Sequence, residues 1–303
     1  MPTGHWFSNP RVINFETPGR FARGEPTRNE MIETILVATD GSDDGGAAER
    51  MGVALATRLR ARLSGVTVIE DRAVQAPSET GLTLPPFPAA ELAAYYRARG
   101  EALGQRFAER ARAEGLEASC EVTTGSADDR IVERAQDRDL LVIGRDHLSG
   151  DRKSALIGAT TEAVIRKTGR STVVVPSGAP VSGPIVLGFD GSPGSRIAAK
   201  TAVEVANGLG EAVHVFVDSK DKGRAVARFE EVRQLLGGLT QSVRETSSTL
   251  GRPDVKIVDT AKEVNAGLIV MGAYGRNRIN EFFLGSNAAA VARTSPVAVL
   301  LAR

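Results

Sequence analysis

The sequence predicts an α/β protein built from two tandem doubly wound domains, each with a five-stranded parallel sheet. Three observations predict this class: a long internal repeat, short segments rich in Val and Ile, and longer segments of helical periodicity between them. Short apolar strands that alternate with helices are typical of βαβ units, in which helices cover both faces of a parallel sheet.

The internal repeat has the same order of landmarks in both halves of the 303-residue chain. The segment ILVATDGS, from residue 35, returns as IVLGFDGS from residue 185, and LLVIG, from residue 140, returns as LIVMG from residue 268. The first pair is 150 residues apart and the second 128, so the first copy carries 22 additional residues, which we assign to the region that begins AVQAPSETG at residue 73. A shared order of this length indicates a duplicated domain.

The apolar runs that predict strands are short, and segments such as AAERMGVALATRLRARL between them have the apolar spacing of amphipathic helices. A Pro-, Gly- and Ser-rich segment separates the two copies. The predicted strands are 35–39, 65–70, 117–123, 139–144 and 172–176 in the first copy, and 184–189, 212–217, 241–246, 267–272 and 297–302 in the second. The predicted organisation is an extended N-terminal tail over 1–30, a first domain over 31–176, a linker over 177–183 and a second domain over 184–303.

The composition is that of an ordinary globular protein, with 42% hydrophobic and 25% charged residues. The formal net charge is only +1, from 38 basic and 37 acidic residues, so the chain has no overall positive charge for a nucleic-acid backbone. The single cysteine, Cys120, excludes an intrachain disulfide, and no apolar run approaches the ~20 residues that span a membrane. We therefore expect a cytoplasmic protein without nucleic-acid or membrane partners.

A glycine-rich segment follows the fourth predicted strand of the second copy and reads MGAYGRNRINEFFLGSN from residue 271. Ligands of open α/β sheets bind beyond the carboxyl ends of the strands, where the strand order reverses. If the first and fourth strands flank that reversal, Asp190 faces the glycine segment across a crevice. Gly272 and Gly275 would let backbone amides approach an anion, and Gly285 and Ser286 stand at the start of a helix whose amino-terminal end favours phosphate.

The spacing of these residues resembles that of the universal stress protein family in its tandem form. The ATP-binding members of that family carry G-x2-G-x9-G-[S/T] after the fourth strand, and the segment from Gly272 to Ser286 reproduces it. The resemblance implies Rossmann-like sheets of strand order 3-2-1-4-5 and a second domain that binds ATP, with or without Mg. It assigns Asp190 to the ribose or adenine, the backbone of Val215 to adenine, and Met271 to the base pocket. The predicted residues on the phosphate side are Gly272, Gly275, Arg276, Gly285, Ser286 and Asn287.

The first copy departs from this pattern. Its corresponding loop reads GRDHLSGDRKSALIGAT from residue 144, and His147 stands where the second glycine is expected. Ten residues instead of nine separate His147 from Gly158, and Ala159 replaces the serine. A Cβ atom at the second glycine position hinders close backbone approach, so we expect the first domain to bind ATP weakly or not at all. Its remaining candidate contacts are Asp40, Val68, Gly144 and Gly158.

Other chemistry finds little support in the sequence. His5, His147 and His214 are far apart and no cysteine pairs with them, so no metal-ligand spacing is present. The G-x-S-x-G motif of hydrolases and the G-x-x-x-x-G-K-[S/T] loop of P-loop enzymes are both missing, and no residue stands out as a general base. We expect His214 to be a hydrogen-bonded core residue and Cys120 to be a buried structural thiol.

The sequence therefore predicts an ATP-binding module for stress response or regulation, without catalytic or metal-binding residues and with slow ATPase activity at most. The resemblance also implies that the last strands of the two domains pair, 172–175 against 297–301, and that the unit forms a homodimer; it identifies no regulatory protein partner. Two alternatives stay open. One is an interaction module that binds no nucleotide, and the other is a slow ATPase or a flavin-binding relative of the same architecture.

Overall fold

The computed structural model describes residues 11–13, 32–70, 89–145, 157–249, 251–274 and 284–303. Its first strand, β1, is Arg11–Ile13. The strands of the first domain are β2 (Thr34–Ala38), β3 (Arg62–Ile69), β4 (Ala118–Thr124), β5 (Leu140–Gly144) and β6 (Ser171–Val175). The helices of the first domain are α1 (Asp43–Leu59), α2 (Ala89–Ala113), α3 (Ala127–Ala135) and α4 (Ala159–Lys167).

The second domain repeats this alternation, and each of the ten predicted strands overlaps one strand of the structure. The strands of the second domain are β7 (Ile185–Gly188), β8 (Val213–Asp218), β9 (Val243–Ser248), β10 (Leu268–Gly272) and β11 (Ala298–Ala302). The helices are α5 (Pro193–Leu209), α6 (Lys222–Leu235), α7 (Pro253–Glu263) and α8 (Ser286–Thr294).

The first helix of each domain begins at the serine of the repeated DGS segment. The Ser42 side chain accepts a hydrogen bond from the backbone N–H of Gly45 at 3.0 Å, and the Ser192 side chain accepts one from that of Ser195 at 3.2 Å. These N-caps satisfy amides that have no partner within the helix. In α5 the next residue is Pro193, which has no N–H to satisfy. The repeated segment therefore ends a strand and starts a helix in both domains.

The eleven strands of the described residues form one sheet, in the order β1-β9-β8-β7-β10-β11-β6-β5-β2-β3-β4. Within each domain the neighbouring strands are parallel and the order is 3-2-1-4-5. The predicted fold class is therefore confirmed. This order places the first and fourth strands of each domain side by side, at the point where the direction of strand addition reverses.

The last strands of the two domains pair antiparallel and join the two parallel sheets. Val174 lies opposite Val299, and Thr172 lies opposite Leu301. The predicted pairing of these strands is confirmed. All four of these side chains are buried, so the seam between the domains is a continuous part of the sheet and of its apolar covering.

Helices cover the sheet on both faces. On one face α1, α2, α5 and α6 share a single apolar cluster that spans both domains, with Phe107, Leu55 and Val205 among its fully buried members. On the other face, α7 and α8 pack on the second domain together with Ile165 of α4, and α3 packs on the first domain together with Val164 of α4. The two faces therefore carry different sets of helices. Connections that leave the carboxyl ends of neighbouring strands toward different sets run to opposite faces of the sheet.

Two arginines reach across the seam in a reciprocal arrangement. Arg145, directly after β5, donates from Nη1 to the carbonyl oxygens of Arg293 and Ser295 at 3.2 and 2.8 Å, at the carboxyl end of α8. Arg303, directly after β11, donates to the carbonyl oxygens of Ile165 and Thr168 at the carboxyl end of α4. Cations stabilise the negative end of a helix dipole, so each domain caps a helix of the other.

Strand β1 lies within residues 1–30, for which the sequence predicted an extended N-terminal tail and no strand. It pairs antiparallel with β9, with Val12 opposite Arg244, and adds a strand to the edge of the sheet in the second domain. A strand of three residues is too short to show the period-2 alternation on which strand prediction depends. The sequence pattern therefore contained no signal for it.

Replacing Val299 by Asp should strongly destabilise the chain. Val299 is 1% exposed and lies opposite Val174 in the seam, so the substitution buries a carboxylate without a partner, at a cost of about 3 kcal/mol or more. Urea unfolding followed by circular dichroism measures this. Val255→Asp, in a residue that is 39% exposed on α7, is the control and should shift the midpoint little. Equal midpoints for the two variants would contradict the role given to the seam.

Candidate functional site

The candidate site lies at the carboxyl ends of β7 and β10, where the strand order reverses. These strands are parallel neighbours, with Val186 opposite Ile269. The chain leaves β7 into α5, whose Ala199 and Ala202 belong to the cluster on one face of the sheet. It leaves β10 toward α8, whose Val291 belongs to the cluster on the other face. Because the two connections diverge, a crevice opens between them.

Asp190 is the second residue after β7 and starts the turn into α5. Its Oδ1 accepts a hydrogen bond from the backbone N–H of Ser192 at 2.9 Å, and the residue is half-buried. Gly191 between them has a φ of 72°, in the region that favours glycine. In the first domain Asp40 accepts a hydrogen bond from the N–H of Ser42 at 2.9 Å. A turn common to both domains therefore fixes this carboxylate at the strand end.

Gly272 ends β10 and lies against the first turn of α5. A Cβ atom on Gly272 would lie 2.6 Å from the carbonyl carbon and 2.9 Å from the carbonyl oxygen of Gly194, and one on Gly194 would lie 2.8 Å from the carbonyl oxygen of Tyr274. Gly144 of the first domain is equally close to α1, since its Cβ would lie 2.7 Å from the carbonyl carbon of Asp44. Close backbone packing alone therefore explains the glycine that ends the fourth strand.

Gly285 is the N-cap of α8 and closes the loop after β10. Its N–H donates to the carbonyl oxygen of Ala273 at 2.9 Å, so the two ends of the loop meet beside the crevice. Among the described residues no side chain caps α8, and Ser286 and Asn287 in its first turn are exposed. The first amides of a helix lack intrahelical partners and carry the positive end of its dipole. The structure thus brings Gly285, Ser286 and Asn287 together with Gly272, in an arrangement suited to an anion.

Met271 and Val215 lie on opposite faces of the sheet. Met271 is half-buried near the end of β10 and packs against the cluster on the face of α7 and α8. Val215 is fully buried, belongs to the cluster on the other face and stands three residues before the end of β8, between Leu187 and Glu245 in register. Because its backbone is part of the strand ladder, the structure does not bring Val215 to the crevice.

Hydrogen bonds just beyond the first strands fix which residues of the two domains are equivalent. In the second domain the N–H of Phe189 donates to the carbonyl oxygen of Phe216 at 2.9 Å. In the first domain the N–H of Thr39 donates to the carbonyl oxygen of Val66 at 3.0 Å. Phe216 and Val66 therefore occupy the same position in the two sheets.

This register reveals two candidate residues that the sequence interpretation missed. The first is Asp218, which corresponds to Val68, two residues beyond Val66. Val215 is therefore not the equivalent of Val68. The second is Lys220, which is exposed and corresponds in the same way to Glu70. An aspartate at the end of an apolar strand gives no motif, and the equivalence depends on a strand register that the sequence pattern does not specify.

The first domain contains a cleft of about 370 Å³ at the carboxyl end of β3 and the start of α4. This volume is within the range of small-molecule pockets. The N–H of Gly158, the N-cap of α4, donates to the carbonyl oxygen of Arg145 at 2.8 Å, as Gly285 does to its counterpart in the second domain. Glu70, Asp128 and Ala159 are among the residues that line the cleft, and Asp128 forms an ion pair with Lys167 at 2.5 Å. The first domain therefore has space for a ligand but borders it with acidic side chains.

Several predicted residues lie outside the described residues. Gly275 and Arg276 fall in the segment between β10 and α8, of which the structure describes only the two ends. His147, in the corresponding segment of the first domain, is also outside the described residues. The predictions at these positions stay predictions.

His214 has the structural role expected from the sequence, whereas Cys120, expected to be a buried thiol, is only half-buried. His214 is 5% exposed, its Nε2 lies 2.6 Å from Thr246 Oγ1, and burial, with a smaller contribution from Arg244, lowers its pKa. Burial, reinforced by Glu49 and Glu121, raises the pKa of the Cys120 thiol to about 12, which makes it a poor nucleophile at neutral pH. Within the described ranges there is no group of three or more potential metal ligands of the His, Cys, Asp and Glu types, and no helix has the length and apolarity to cross a membrane.

Comparison with known proteins gives one consistent family. The model of the universal stress protein family matches residues 31–176 and 182–303. A universal stress protein of Mycolicibacterium smegmatis is 25% identical over 209 residues, which is 62% of this chain and 70% of that protein. Universal stress protein Rv2005c of Mycobacterium tuberculosis is 27% identical over 193 residues, which is 57% of this chain and 64% of the relative. The chain thus matches less than two thirds of the second relative.

The fold also matches a solved structure over nearly its whole length. The crystal structure of a universal stress protein from Archaeoglobus fulgidus has a TM-score of 0.70 and covers 90% of this chain and 98% of its own, at 19% identity. At that identity the likeness concerns the fold alone. It agrees with the two tandem doubly wound domains described above.

Replacing Gly272 by Ala should destabilise the fold whether or not a ligand binds. Its Cβ would meet the backbone of Gly194 at 2.6 Å, and overpacking of this kind costs about 1–3 kcal/mol. Gly144→Ala should cost a similar amount, since it makes the equivalent contact. Gly169→Ala is the control, because nothing lies within 4 Å of its added Cβ. Chemical denaturation of the nucleotide-free proteins tests this, and a Gly272→Ala variant as stable as Gly169→Ala would refute it.

Proposed function

This chain belongs to the universal stress protein family, and we propose that its second domain binds ATP or a related adenine nucleotide, with or without Mg, as a nucleotide-dependent regulatory module. We assign the phosphates to the amino-terminal end of α8, at Gly285, Ser286 and Asn287. The nucleoside lies toward Asp190, and Met271 lines the face of the sheet between these two ends. Gly275 and Arg276 complete the phosphate side in this proposal.

The observation that carries the proposal is the open amino-terminal end of α8 beside the strand-order reversal. In that position Ser286 and Asn287 are exposed, and no described side chain competes for the first amides. Oriented amides of this kind bind phosphate through both hydrogen bonds and the helix dipole. The turn at Asp190 supplies a carboxylate on the other side of the crevice, which suits the hydroxyl and amino groups of a nucleoside. The residues present therefore fit a nucleotide.

The charges of the two domains favour the second as the nucleotide site. Glu70 lines the cleft of the first domain, and its equivalent in the second domain is Lys220. The Cε atom of Lys220 lies 3.5 Å from the position that a Cβ of Gly251 would take, so the side chain crosses toward the start of α7. A cation at this position attracts phosphate and a carboxylate repels it. Together with Ala159 in place of Ser286, this supports weak or no nucleotide binding by the first domain.

The seam offers a physical link between the nucleotide site and the rest of the chain. Tyr274 begins the loop that would enclose the phosphates, and its hydroxyl is hydrogen-bonded to Nη1 of Arg303. The Arg303 guanidinium also lies over the Tyr274 ring, 4.7 Å from its centroid, and it caps α4 of the first domain. A nucleotide that moves the loop would therefore change a contact that holds both domains. Binding with a conformational response, rather than turnover, is the function that we propose.

Asp190→Ala should lower the affinity for ATP at least 10-fold, while Asp40→Ala should change it less than twofold. Both substitutions remove the same turn hydrogen bond, so they should destabilise the free protein similarly, but only Asp190 adjoins the proposed site. Isothermal titration with ATP, together with mass spectrometry of small molecules released from the purified chain, measures this.

The alternatives to ATP give different results in the same experiments. Undetectable binding of ATP by the unmodified chain would favour an interaction module without nucleotide, and a released flavin would favour the flavin-binding alternative. Equal losses of affinity for Asp190→Ala and Asp40→Ala would show that the turn matters only for folding.

Reversing the charge of Lys220 in the second domain and of its equivalent Glu70 in the first should change ATP binding in opposite directions. Lys220→Glu should weaken ATP binding by about 3- to 10-fold at low salt. The loss should be smaller at high salt, because salt screens the interactions of an exposed charge. Glu70→Lys removes a carboxylate from the first domain and should create or strengthen a second, weak ATP site. Titrations at 50 and 500 mM salt measure both effects. A salt-independent loss, or none, for Lys220→Glu would contradict the electrostatic role of Lys220.

A further inference from the structure

The Oδ1 atom of Asp218, the last residue of β8, accepts no hydrogen bond from any of the described residues. This atom is sealed from solvent, although the residue as a whole is only half-buried. A buried carboxylate oxygen without a donor lowers the stability of the free protein. Such a group therefore calls for an explanation in terms of function.

The strand register places Asp218 on the crevice side of the sheet. Side chains alternate along a strand, so Asp218 points to the same face as Phe216, which packs in the cluster with α7 and α8. The hydrogen bond from Phe189 to Phe216 puts Asp190 and Asp218 at corresponding positions of neighbouring strands. Two carboxylates at adjacent strand ends repel one another, and a hydrogen-bond donor bound between them relieves that repulsion.

The fold itself does not require a carboxylate at this position. The equivalent residue of the first domain is Val68, and the same sheet forms around it with β3 in register with β4. The first domain is also the one whose cleft is bordered by Glu70 and whose loop lacks the full glycine motif. The carboxylate therefore occurs in the domain that has the other features of a nucleotide site.

We propose that Asp218 is a specificity-determining residue of the nucleotide site, an inference that rests on the proposed function and names the group that selects the nucleoside. Its unpaired oxygen accepts a hydrogen bond from an N–H or O–H of the nucleoside, either the exocyclic amine of adenine or a ribose hydroxyl. The Cβ–Cγ torsion of aspartate is soft, so a rotation of the carboxylate presents this oxygen to the crevice. Sites built around such an acceptor discriminate strongly against analogues without the donor.

The test compares Asp218→Asn and Asp218→Val in the full chain. Asp218→Val should lower the affinity for ATP by about 10- to 100-fold, as expected for a hydrogen bond to a charged acceptor. The melting temperature of the nucleotide-free Asp218→Val protein should stay the same or rise, because an unpaired buried carboxylate has been removed. A residue of merely structural importance would show the reverse, with a lower melting temperature and an affinity that changes only through partial unfolding.

Val68→Asp is the mirror-image control. It introduces the carboxylate into the first domain, where no nucleotide is expected to satisfy it, so it should lower the melting temperature and leave the ATP affinity of the second domain unchanged. Asp218→Asn keeps the shape of the side chain and removes its charge. It should give an intermediate loss of affinity.

Nucleotide analogues identify the donor. Inosine triphosphate replaces the exocyclic amine by a carbonyl, and 2′-deoxy-ATP and 3′-deoxy-ATP each lack one hydroxyl. The analogue that lacks the donor bound by Asp218 should bind the unmodified chain weakly and should lose nothing further on Asp218→Asn. Equal sensitivity of all analogues to Asp218→Asn would overturn the assignment to a nucleoside donor.

The inference about Asp218 and the proposed ATP binding would be contradicted by different results. If the unmodified chain binds ATP and Asp218→Val binds it equally well, the inference about Asp218 is wrong and the proposed function stands. If the unmodified chain binds neither ATP nor any of the analogues, both are wrong.

Discussion

The contact between Gly272 and Gly194 is the constraint on which the candidate site depends. It lets the end of β10 touch the first turn of α5, so the connections that leave β7 and β10 start from one place and diverge to opposite faces of the sheet. The equivalent contact between Gly144 and Asp44 in the first domain has no complete glycine motif beside it. The strand-end glycine is therefore a requirement of the fold, and in the proposed function the residues around it bind the ligand.

The two domains show how one scaffold carries different chemistry. Both have the aspartate turn, the N-cap glycine of the last helix and the hydrogen bond that closes the preceding loop. Three of the equivalent positions at which they differ carry polar or charged side chains in the second domain, Asp218, Lys220 and Ser286, where the first domain has Val68, Glu70 and Ala159. These differences change charge and hydrogen-bonding capacity without changing the backbone. In the proposed function, they would allow the second domain to hold an anionic ligand and leave the first domain without one.

The antiparallel pairing of β6 with β11 makes the two domains parts of one sheet, and Arg145 and Arg303 add a polar connection to it. Each guanidinium binds carbonyl oxygens at the carboxyl end of a helix in the other domain. Burial lowers the pKa of Arg303, and a guanidinium stays charged in proteins. Arg303 also contacts Tyr274 at the start of the candidate phosphate loop. A displacement of Tyr274 would therefore change its contact with Arg303 at the seam.

By itself the sequence determined the duplication, the α/β class and the ten strands of the two domains to within a few residues, because these depend on local periodicity, on turn residues and on the order of motifs. It also predicted a candidate phosphate side, which stays a prediction. Only the tertiary structure decided the register of β8, which moves Val215 away from the crevice and places Asp218 and Lys220 in the positions of Val68 and Glu70. It also decided the reciprocal contacts of Arg145 and Arg303, and the pairing of β1 with β9. The physical reason is that the strand register, the partners of charged side chains and the pairing of an edge strand all arise from contacts between residues far apart in the chain. No local pattern specifies which of those contacts form.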